Sequence, residues 1–277
     1  MVYRALLVKK KNRIILSISS DIGYYLAKDW LSKNFSVIGT YRKKNEKIKE
    51  LESLGAKVFY CDLRKNKSVD NVSKKISKFG KWNSLVLAAG DQNPIGNILD
   101  INLDEFENSL KVNFINQIRF LRNLLNKRED KTKRSPSVLF FAGGGTNNAT
   151  VNYMAYTLAK ITSIKATELL DAEIKDTKFT ILGPGWVKTK IHKATLDQPS
   201  NSGKNYKKTI EIFKKNNFYP MSEVIKCCNW LINADKALVG GRNFSSVFDP
   251  WNSRKITKIK KDSNLFKLRR YGNNFLK

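Results

Sequence analysis

Residues 13–23 read RIILSISSDIG and give the clearest indication of the fold class. The stretch begins with a mostly apolar run of the kind that forms a buried strand, and a short polar turn then leads into an amphipathic helix predicted over residues 22–31. A turn from a parallel strand into a helix presents backbone N–H groups and the positive end of the helix dipole, which together favour phosphate. The stretch therefore predicts the first strand–turn–helix unit of an α/β fold, with an anion site at its turn.

Strand and helix patterns continue to alternate after this unit. Further strands are predicted at residues 35–40, 57–61, 84–88, 137–142, 179–183 and 244–248. Helices are predicted between them at residues 48–54, 69–79, 104–126, 153–174 and 221–233. This order indicates an α/β fold, a doubly wound Rossmann-type parallel sheet of about seven strands with helices on both faces. We expect residues 1–277 to form a single domain of this kind.

The composition is that of a globular protein with an unusual charge. Hydrophobic residues make up 41% of the chain, and 52 Lys and Arg against 24 Asp and Glu give a net charge of +28. The basic clusters, such as 9–11, 42–44 and 127–134, are scattered, and no zinc-finger spacing or recognition-helix pattern accompanies them. The charge therefore favours a general lysine excess with some attraction for phosphorylated ligands, and a nucleic-acid partner is the weaker alternative.

Cysteine usage and hydropathy indicate a reducing compartment. Cys227 and Cys228 are adjacent in a predicted helix and Cys61 is far away, so no disulfide framework follows. No stretch approaches the roughly 18 apolar residues of a spanning helix. We expect a cytoplasmic protein with no membrane partner and no metal site.

The first turn is a weak phosphate-binding signal by itself, since Gly23 is its only glycine. Serine hydroxyls at 17, 19 and 20 are able to donate to phosphate, and Asp21 is able to cap the helix. A plain Ser or Asp helix cap is the alternative interpretation. The cofactor contacts predicted in this loop are Ser17, Ser19, Ser20, Ile22 and Gly23.

The end of the second predicted strand reads Gly39-Thr40-Tyr41-Arg42-Lys43. An acid at this place in a dinucleotide fold binds the ribose of NAD, whereas an arginine accommodates the 2′-phosphate of NADP. The chain has no acid here, so Arg42 and Lys43 predict NADP (NADPH) as the cofactor. A solvated basic turn is the alternative.

Tyr156 and Lys160 are four residues apart in a predicted helix, which places the phenol and the ammonium on one helical face. A cation near a tyrosine lowers its pKa and makes proton transfer accessible nearer neutral pH. The pair follows a glycine-rich loop and precedes the sixth predicted strand. The YxxxK spacing is common, and it is this position in the chain that makes the pair a candidate for proton transfer.

Together these landmarks resemble the short-chain dehydrogenase/reductase family over about residues 13–250. The matching positions follow the order of the family: loop 17–23, Arg42, Asp62 with Leu63, Ala89 with Gly90, Asn113, Tyr156 with Lys160, and a loop with Pro184, Gly185, Val187 and Thr189. The resemblance implies an NADP-dependent oxidoreductase that transfers a hydride between NADPH and a small-molecule carbonyl or alcohol.

The resemblance also implies roles for individual residues. Tyr156 would be the general acid in ketone reduction, and Lys160 would lower its pKa and hold the nicotinamide ribose. Asn113 would orient a water in a proton relay, and Asp62 would lie at the adenine ring. The alternatives are a core aromatic for Tyr156 and a polar helix residue with local hydrogen bonds for Asn113.

The chain departs from the family at two positions. Gly143 stands where the family has a substrate-orienting serine, and Thr146 is the candidate replacement for that hydroxyl. Gly143→Ser is expected to raise turnover unless the backbone needs a positive φ. Asp21 brings a negative charge near a pyrophosphate unless it turns away as a helix cap. These departures keep a second hypothesis open, a catalytically silent NADP-binding paralogue that acts as a partner subunit or sensor.

Segment 188–220 is predicted to be a substrate lid, and residues 251–277 form a basic tail. With residues 248–251 and 268–270, the lid is similar to reductases of bacterial surface-polysaccharide and nucleotide-sugar pathways. An anionic sugar derivative would suit the basic lid. His192 is expected on the lid surface, and Trp251 either contacts substrate or seals the sheet edge.

The family usually assembles through the two long helices predicted here at 104–126 and 153–174. Both helices carry apolar residues beyond one core stripe: Phe114, Ile118, Leu121, Ile161, Ile164 and Leu169. We therefore expect a homodimer or a homotetramer.

Overall fold

The computed structural model describes residues 11–130 and 135–272 and contains one parallel sheet of seven strands. The strands are β1 Asn12–Leu16, β2 Ser36–Tyr41, β3 Lys57–Tyr60, β4 Trp82–Leu87, β5 Ser137–Phe141, β6 Lys178–Gly183 and β7 Asn243–Ser245. Their order is β3-β2-β1-β4-β5-β6-β7. The direction of winding reverses between β1 and β4, and this reversal opens a crevice at the carboxyl ends of the strands.

Helices cover both faces of the sheet, which confirms the predicted doubly wound α/β fold. They are α1 Asp21–Ser32, α2 Glu46–Ser53, α3 Asn66–Ser77, α4 Leu103–Leu110, α5 Asn116–Leu124, α6 Met154–Glu173, α7 Lys193–Leu196, α8 Pro199–Ser202, α9 Lys204–Lys214, α10 Met221–Asn233 and α11 Lys236–Val239. One apolar core holds residues of α1 and α10, and the other holds residues of α3, α5 and α6. The sheet separates the two cores.

Three predicted elements differ from the structure. The first strand, predicted over residues 13–19, ends at Leu16 in β1, because Ser17 adopts a positive φ of 64° and starts the turn. The helix predicted over 104–126 is interrupted by a π-helical turn at Lys111–Ile115, which joins α4 to α5. The lid segment is partly helical, with α7, α8 and α9 inside it.

Parts of the basic clusters at 9–11 and 127–134, and the end of the tail, lie outside the described residues. Within residues 11–130 and 135–272, no helix is long and apolar enough to cross a membrane. Across the same ranges, no group of three or more His, Cys, Asp or Glu side chains could hold a metal ion.

Candidate active site

A cavity of about 1380 Å³ lies at the carboxyl ends of the strands and brings most of the predicted site residues together. The predicted residues that line it are Ser17, Ser19, Ser20, Ile22, Arg42, Lys43, Asp62, Leu63, Ala89, Gly90, Thr146, Tyr156, Lys160, Pro184, Gly185, Val187 and Thr189. Gly23 and Asn113 are not among the lining residues. The cavity is therefore the place where the predicted cofactor and catalytic residues meet.

The turn after β1 is held tightly by its own side chains. The Ser17 N–H donates to Thr40 Oγ1 at 2.9 Å, and Ser20 Oγ accepts the Gly23 N–H at 3.0 Å. A Cβ at Gly23 would lie only 2.7 Å from the Ser17 carbonyl oxygen, so glycine is needed for α1 to approach the turn. Ser20 is thus the helix cap, and Gly23 shapes the loop from behind the cavity.

Asp21 is the first residue of α1 and is not its cap. One carboxylate oxygen lies 2.7 Å from Lys47 Nζ, and the other accepts the Lys190 backbone N–H at 2.7 Å. Burial raises the pKa of Asp21, but the hydrogen bonds from Lys47 and Lys190 outweigh burial and the pKa is lowered. The carboxylate therefore stays ionised and is turned toward protein donors.

Arg42 and Lys43 line the cavity at the end of β2, and Asp62 lines it after β3. The Asp62 carboxylate accepts two hydrogen bonds from the Arg64 guanidinium, at 3.0 and 2.8 Å. This pairing, opposed by burial and helped by the more distant charge of Arg42, holds the pKa of Asp62 below its usual range. Arg64 is not predictable as a partner of Asp62 from the sequence, because a charged residue soon after a strand carries no distinctive signal.

Tyr156 and Lys160 lie side by side on α6, and both are buried. Lys160 Nζ donates to the Phe141 carbonyl oxygen at 3.0 Å and lies 5.6 Å from the Tyr156 ring centroid. Burial raises the pKa of Tyr156 to about 12 and lowers the pKa of Lys160 to about 8. The structure thus departs from the expected lowering of the Tyr156 pKa, because burial disfavours both charged forms.

Gly143 lies directly against the Tyr156 phenol. A Cβ built at Gly143 would be 2.8 Å from Tyr156 Oη and 2.9 Å from Lys160 Cγ. Gly143 does not have a positive φ, so its backbone would accept another residue. The space that a serine side chain needs is instead occupied by Tyr156. This contact argues against the expected gain of turnover in Gly143→Ser.

Asn113 sits in the π-helical turn and is fully buried. Its Nδ2 donates to the Asp91 carbonyl oxygen at 2.8 Å, and its Oδ1 accepts the Asp91 N–H at 2.9 Å. Its own carbonyl oxygen accepts a hydrogen bond from Gln117 Nε2 at 3.0 Å. Asn113 therefore fixes the loop after β4, and its role in a proton relay stays a prediction.

The lid contains an aromatic cluster that the sequence analysis did not predict. His192 is buried, which corrects the expectation of a surface residue. Its ring stacks on that of Trp186 with the two centroids 5.1 Å apart, the Phe213 ring meets it edge-on, and the tilted Phe218 ring closes the cluster. Burial lowers the pKa of His192, although its hydrogen bond with the Val187 carbonyl oxygen opposes the shift. His192 thus packs the inside of the lid.

Trp251 is also buried, with Nε1 donating to the Ser246 carbonyl oxygen at 2.9 Å. It packs near Trp230 of α10. The structure therefore favours the interpretation in which Trp251 seals the sheet edge.

Residues 18–246 match the family described as "Enoyl-(Acyl carrier protein) reductase". A curated relative from Arabidopsis thaliana, "Short-chain dehydrogenase reductase 3a", is 30% identical over 84 residues, which is 30% of this chain. The chain belongs to the short-chain dehydrogenase/reductase family. The match with the Arabidopsis relative spans only 33% of that protein.

Solved structures of short-chain dehydrogenases/reductases share the fold. A member from Saccharomyces cerevisiae has a TM-score of 0.74 at 20% identity, over 93% of this chain and 100% of that one. An actinorhodin polyketide ketoreductase solved with NADPH has a TM-score of 0.72 at 18% identity, over 85% and 95% of the two chains. The aldohexose dehydrogenase of Thermoplasma acidophilum has a TM-score of 0.71 at 18% identity, over 87% and 96%. At these identities the likeness concerns the fold alone.

Proposed function

We propose that the protein is an NADP-dependent reductase of a small-molecule carbonyl compound. The observation that carries the proposal is the buried Tyr156 and Lys160 pair, which lines the same cavity as Arg42 and the turn after β1. NADPH would supply the hydride when bound. The side chains of the protein would bind the cofactor, position the carbonyl and donate a proton to its oxygen.

The residues around the turn fit a dinucleotide. The positive φ of Ser17 and the close contact behind Gly23 allow the turn to wrap a phosphate, as glycines do in other dinucleotide folds. Arg42 and Lys43 line the cavity at the end of β2, where they are available to pair with a 2′-phosphate. The turn suits either dinucleotide, whereas Arg42 and Lys43 support NADPH over NADH.

Tyr156 rests in the protonated form that a general acid needs. With a pKa raised by burial to about 12, the phenol keeps its proton near neutral pH until a carbonyl oxygen bound beside it takes that proton. Thr146 lines the cavity and is the proposed hydroxyl partner of the carbonyl oxygen, in place of the serine absent at Gly143.

Basic residues of the lid support an anionic substrate. Lys193 and Lys208 line the cavity on the side of the lid, and of the two Lys193 is paired with Asp197 at 2.7 Å. A sugar or nucleotide-sugar derivative with a reducible carbonyl would fit this charge. A homodimer or homotetramer is the assembly we propose.

The deciding experiment measures NADPH binding and NADPH consumption with a panel of anionic and neutral carbonyl compounds. Tyr156→Phe is expected to abolish consumption and to leave the dissociation constant of NADPH nearly unchanged, because the phenol donates the proton and contributes little to cofactor binding. We expect the wild type to bind NADPH at least tenfold more tightly than NADH, and Arg42→Asp is expected to erase this preference. Tight NADPH binding with no turnover on any carbonyl would instead support the silent paralogue.

A further inference from the structure

The carboxylate of Asp21 stands beside the turn where the proposed function places the cofactor pyrophosphate. Its side chain is 11% exposed and contacts two other segments of the chain. Lys47 of α2 lies 2.7 Å from one oxygen, and the Lys190 N–H, after β6, lies 2.7 Å from the other. Asp21 therefore ties the turn to α2 and to the beginning of the lid.

Lys190 makes a second contact with the turn through its side chain. Its Nζ donates to the Ser19 carbonyl oxygen at 2.7 Å, and both residues line the cavity. An ammonium carries three donors, and the Ser19 carbonyl takes one of them. Two hydrogen bonds thus hold Lys190 at the phosphate turn. Its backbone N–H donates to Asp21, and its Nζ donates to the Ser19 carbonyl oxygen.

The surroundings of Lys190 suit an added anion. Lys190 is exposed, but partial desolvation of its ammonium lowers its pKa, and the nearby cations Lys47 and Arg42 lower that pKa further against the attraction of Asp21. Three cations thus lie near the carboxylate of Asp21, and one of them, Arg42, also lies near Asp62, which Arg64 already pairs. An anion bound there would relieve the repulsion among them.

We propose that Lys190 binds the pyrophosphate of the nicotinamide cofactor, held in place by Asp21. The inference rests on the proposed function and deepens it. The turn has one glycine, so fewer places allow close backbone approach to phosphate, and a charge-assisted contact from Lys190 replaces them. The pyrophosphate is common to NADH and NADPH. Lys190 therefore raises the affinity for NADH and NADPH by the same factor, whereas Arg42 raises the affinity for NADPH alone.

The test is isothermal titration of NADPH and NADH into the wild type and Lys190→Met. The methionine keeps the backbone N–H that Asp21 accepts and removes only the ammonium. Both dissociation constants should rise by about tenfold or more, and by the same factor. The matched control is Lys188→Met, in the same segment and with the same change of charge. Lys188 Nζ lies 5.8 Å from the centroid of the Phe218 ring, and Lys188 does not line the cavity. The dissociation constants of Lys188→Met should therefore stay within about twofold of the wild-type values.

A second variant separates charge from structure. Asp21→Asn in the Lys190→Met background should restore most of the lost affinity, because it removes the carboxylate that Lys190 no longer offsets. Asp21→Asn alone should raise the affinity less, because Lys190 then still offsets the charge and loses its anchor. An equal gain in both backgrounds would mean that the carboxylate acts on the nucleotide independently of Lys190. Unchanged affinity in Lys190→Met, a loss limited to NADPH, or an absent rescue would each overturn the inference while wild-type binding stands. A wild type that binds neither nucleotide would reject the proposed cofactor, and the inference with it.

Discussion

The contact between Gly143 and Tyr156 leaves little room for a side chain at position 143. Because a Cβ at Gly143 would lie 2.8 Å from Tyr156 Oη, any larger residue must displace a buried phenol. Overpacking of this kind costs about 1 to 3 kcal/mol. The phenol of Tyr156 can therefore keep its position only because residue 143 has no side chain.

Gly143→Ala and Gly143→Ser are both expected to lower the free energy of unfolding by about 1 to 3 kcal/mol in urea titrations. Gly144→Ala is the control, since its Cβ would meet only Thr150 Oγ1, at an ordinary 3.8 Å. It should change stability by less than about 0.5 kcal/mol. If Gly143→Ser were as stable as the wild type and faster in turnover, Tyr156 would be free to move and the serine hydroxyl alone would be limiting.

The buried Lys160 should make stability depend on pH. Its pKa is about 8 in the fold and near 10.5 in the unfolded chain, so between these values the unfolded state binds one more proton. Stability should therefore rise with pH in that window, by about 1.4 kcal/mol per unit. Relative to Lys160→Met, the wild type is expected to gain about 2 kcal/mol between pH 8 and pH 10 in urea titrations. The raised pKa of Tyr156 acts only above pH 10, since its unfolded value is 10.0. Parallel pH profiles of the two proteins would show that Lys160 is not desolvated.

Among the elements, periodicity predicted seven strands at their places along the chain and the whole of α10, Met221–Asn233, but not the order of the strands in the sheet. These elements follow from local apolar patterns. The interruption between α4 and α5 was not predictable, because its most buried residue, Asn113, bonds to Asp91, which is 22 positions away. Likewise, the sequence predicted the cavity residues by position, but Lys190 reaches Ser19 across 171 positions. Long-range polar contacts of this kind leave no periodic signal.

The π-helical turn should depend on the side chain of Asn113. Asn113→Ala removes the bonds to both backbone groups of Asp91 and leaves buried polar groups without their partner. We expect a loss of about 2 to 4 kcal/mol in the free energy of unfolding, measured with urea. Asn123→Ala, which removes one half-buried bond to Asp70, should cost about 1 kcal/mol or less. Equal losses in the two variants would mean that Asn113 does not organise the loop after β4.

At the scale of the whole molecule, the excess of cations shapes the site. With 52 basic and 24 acidic side chains, most cations lack an acidic partner of their own. Acids near the cavity are already engaged by protein donors, as Asp21 is by Lys47 and Asp62 is by Arg64. The composition alone predicts a basic protein. The structure adds that several of its cations face one cavity, which suits anionic ligands more than a nucleic-acid surface.

The long helices were expected to form the interface between subunits. The structure corrects part of that expectation. Leu121 and Ile164 are buried in the core of the chain, so they are not available to a partner. Apolar side chains that remain exposed include Leu103 at 66%, Leu158 at 42% and Leu169 at 52%. Solvent-exposed leucines along α4 and α6 favour contact with a second copy of the chain.

Light scattering at micromolar concentration is therefore expected to give the mass of a dimer or tetramer. A Leu158→Glu and Leu169→Glu double variant should shift this mass toward the monomer, because it buries two unpaired carboxylates in the proposed contact. Leu54→Glu is the control, since Leu54 is 49% exposed at the end of α2 and lies outside the two long helices. It should leave the mass unchanged. A wild-type protein with a single monomer mass would contradict the predicted assembly, and an unchanged mass in the double variant would place the contact elsewhere.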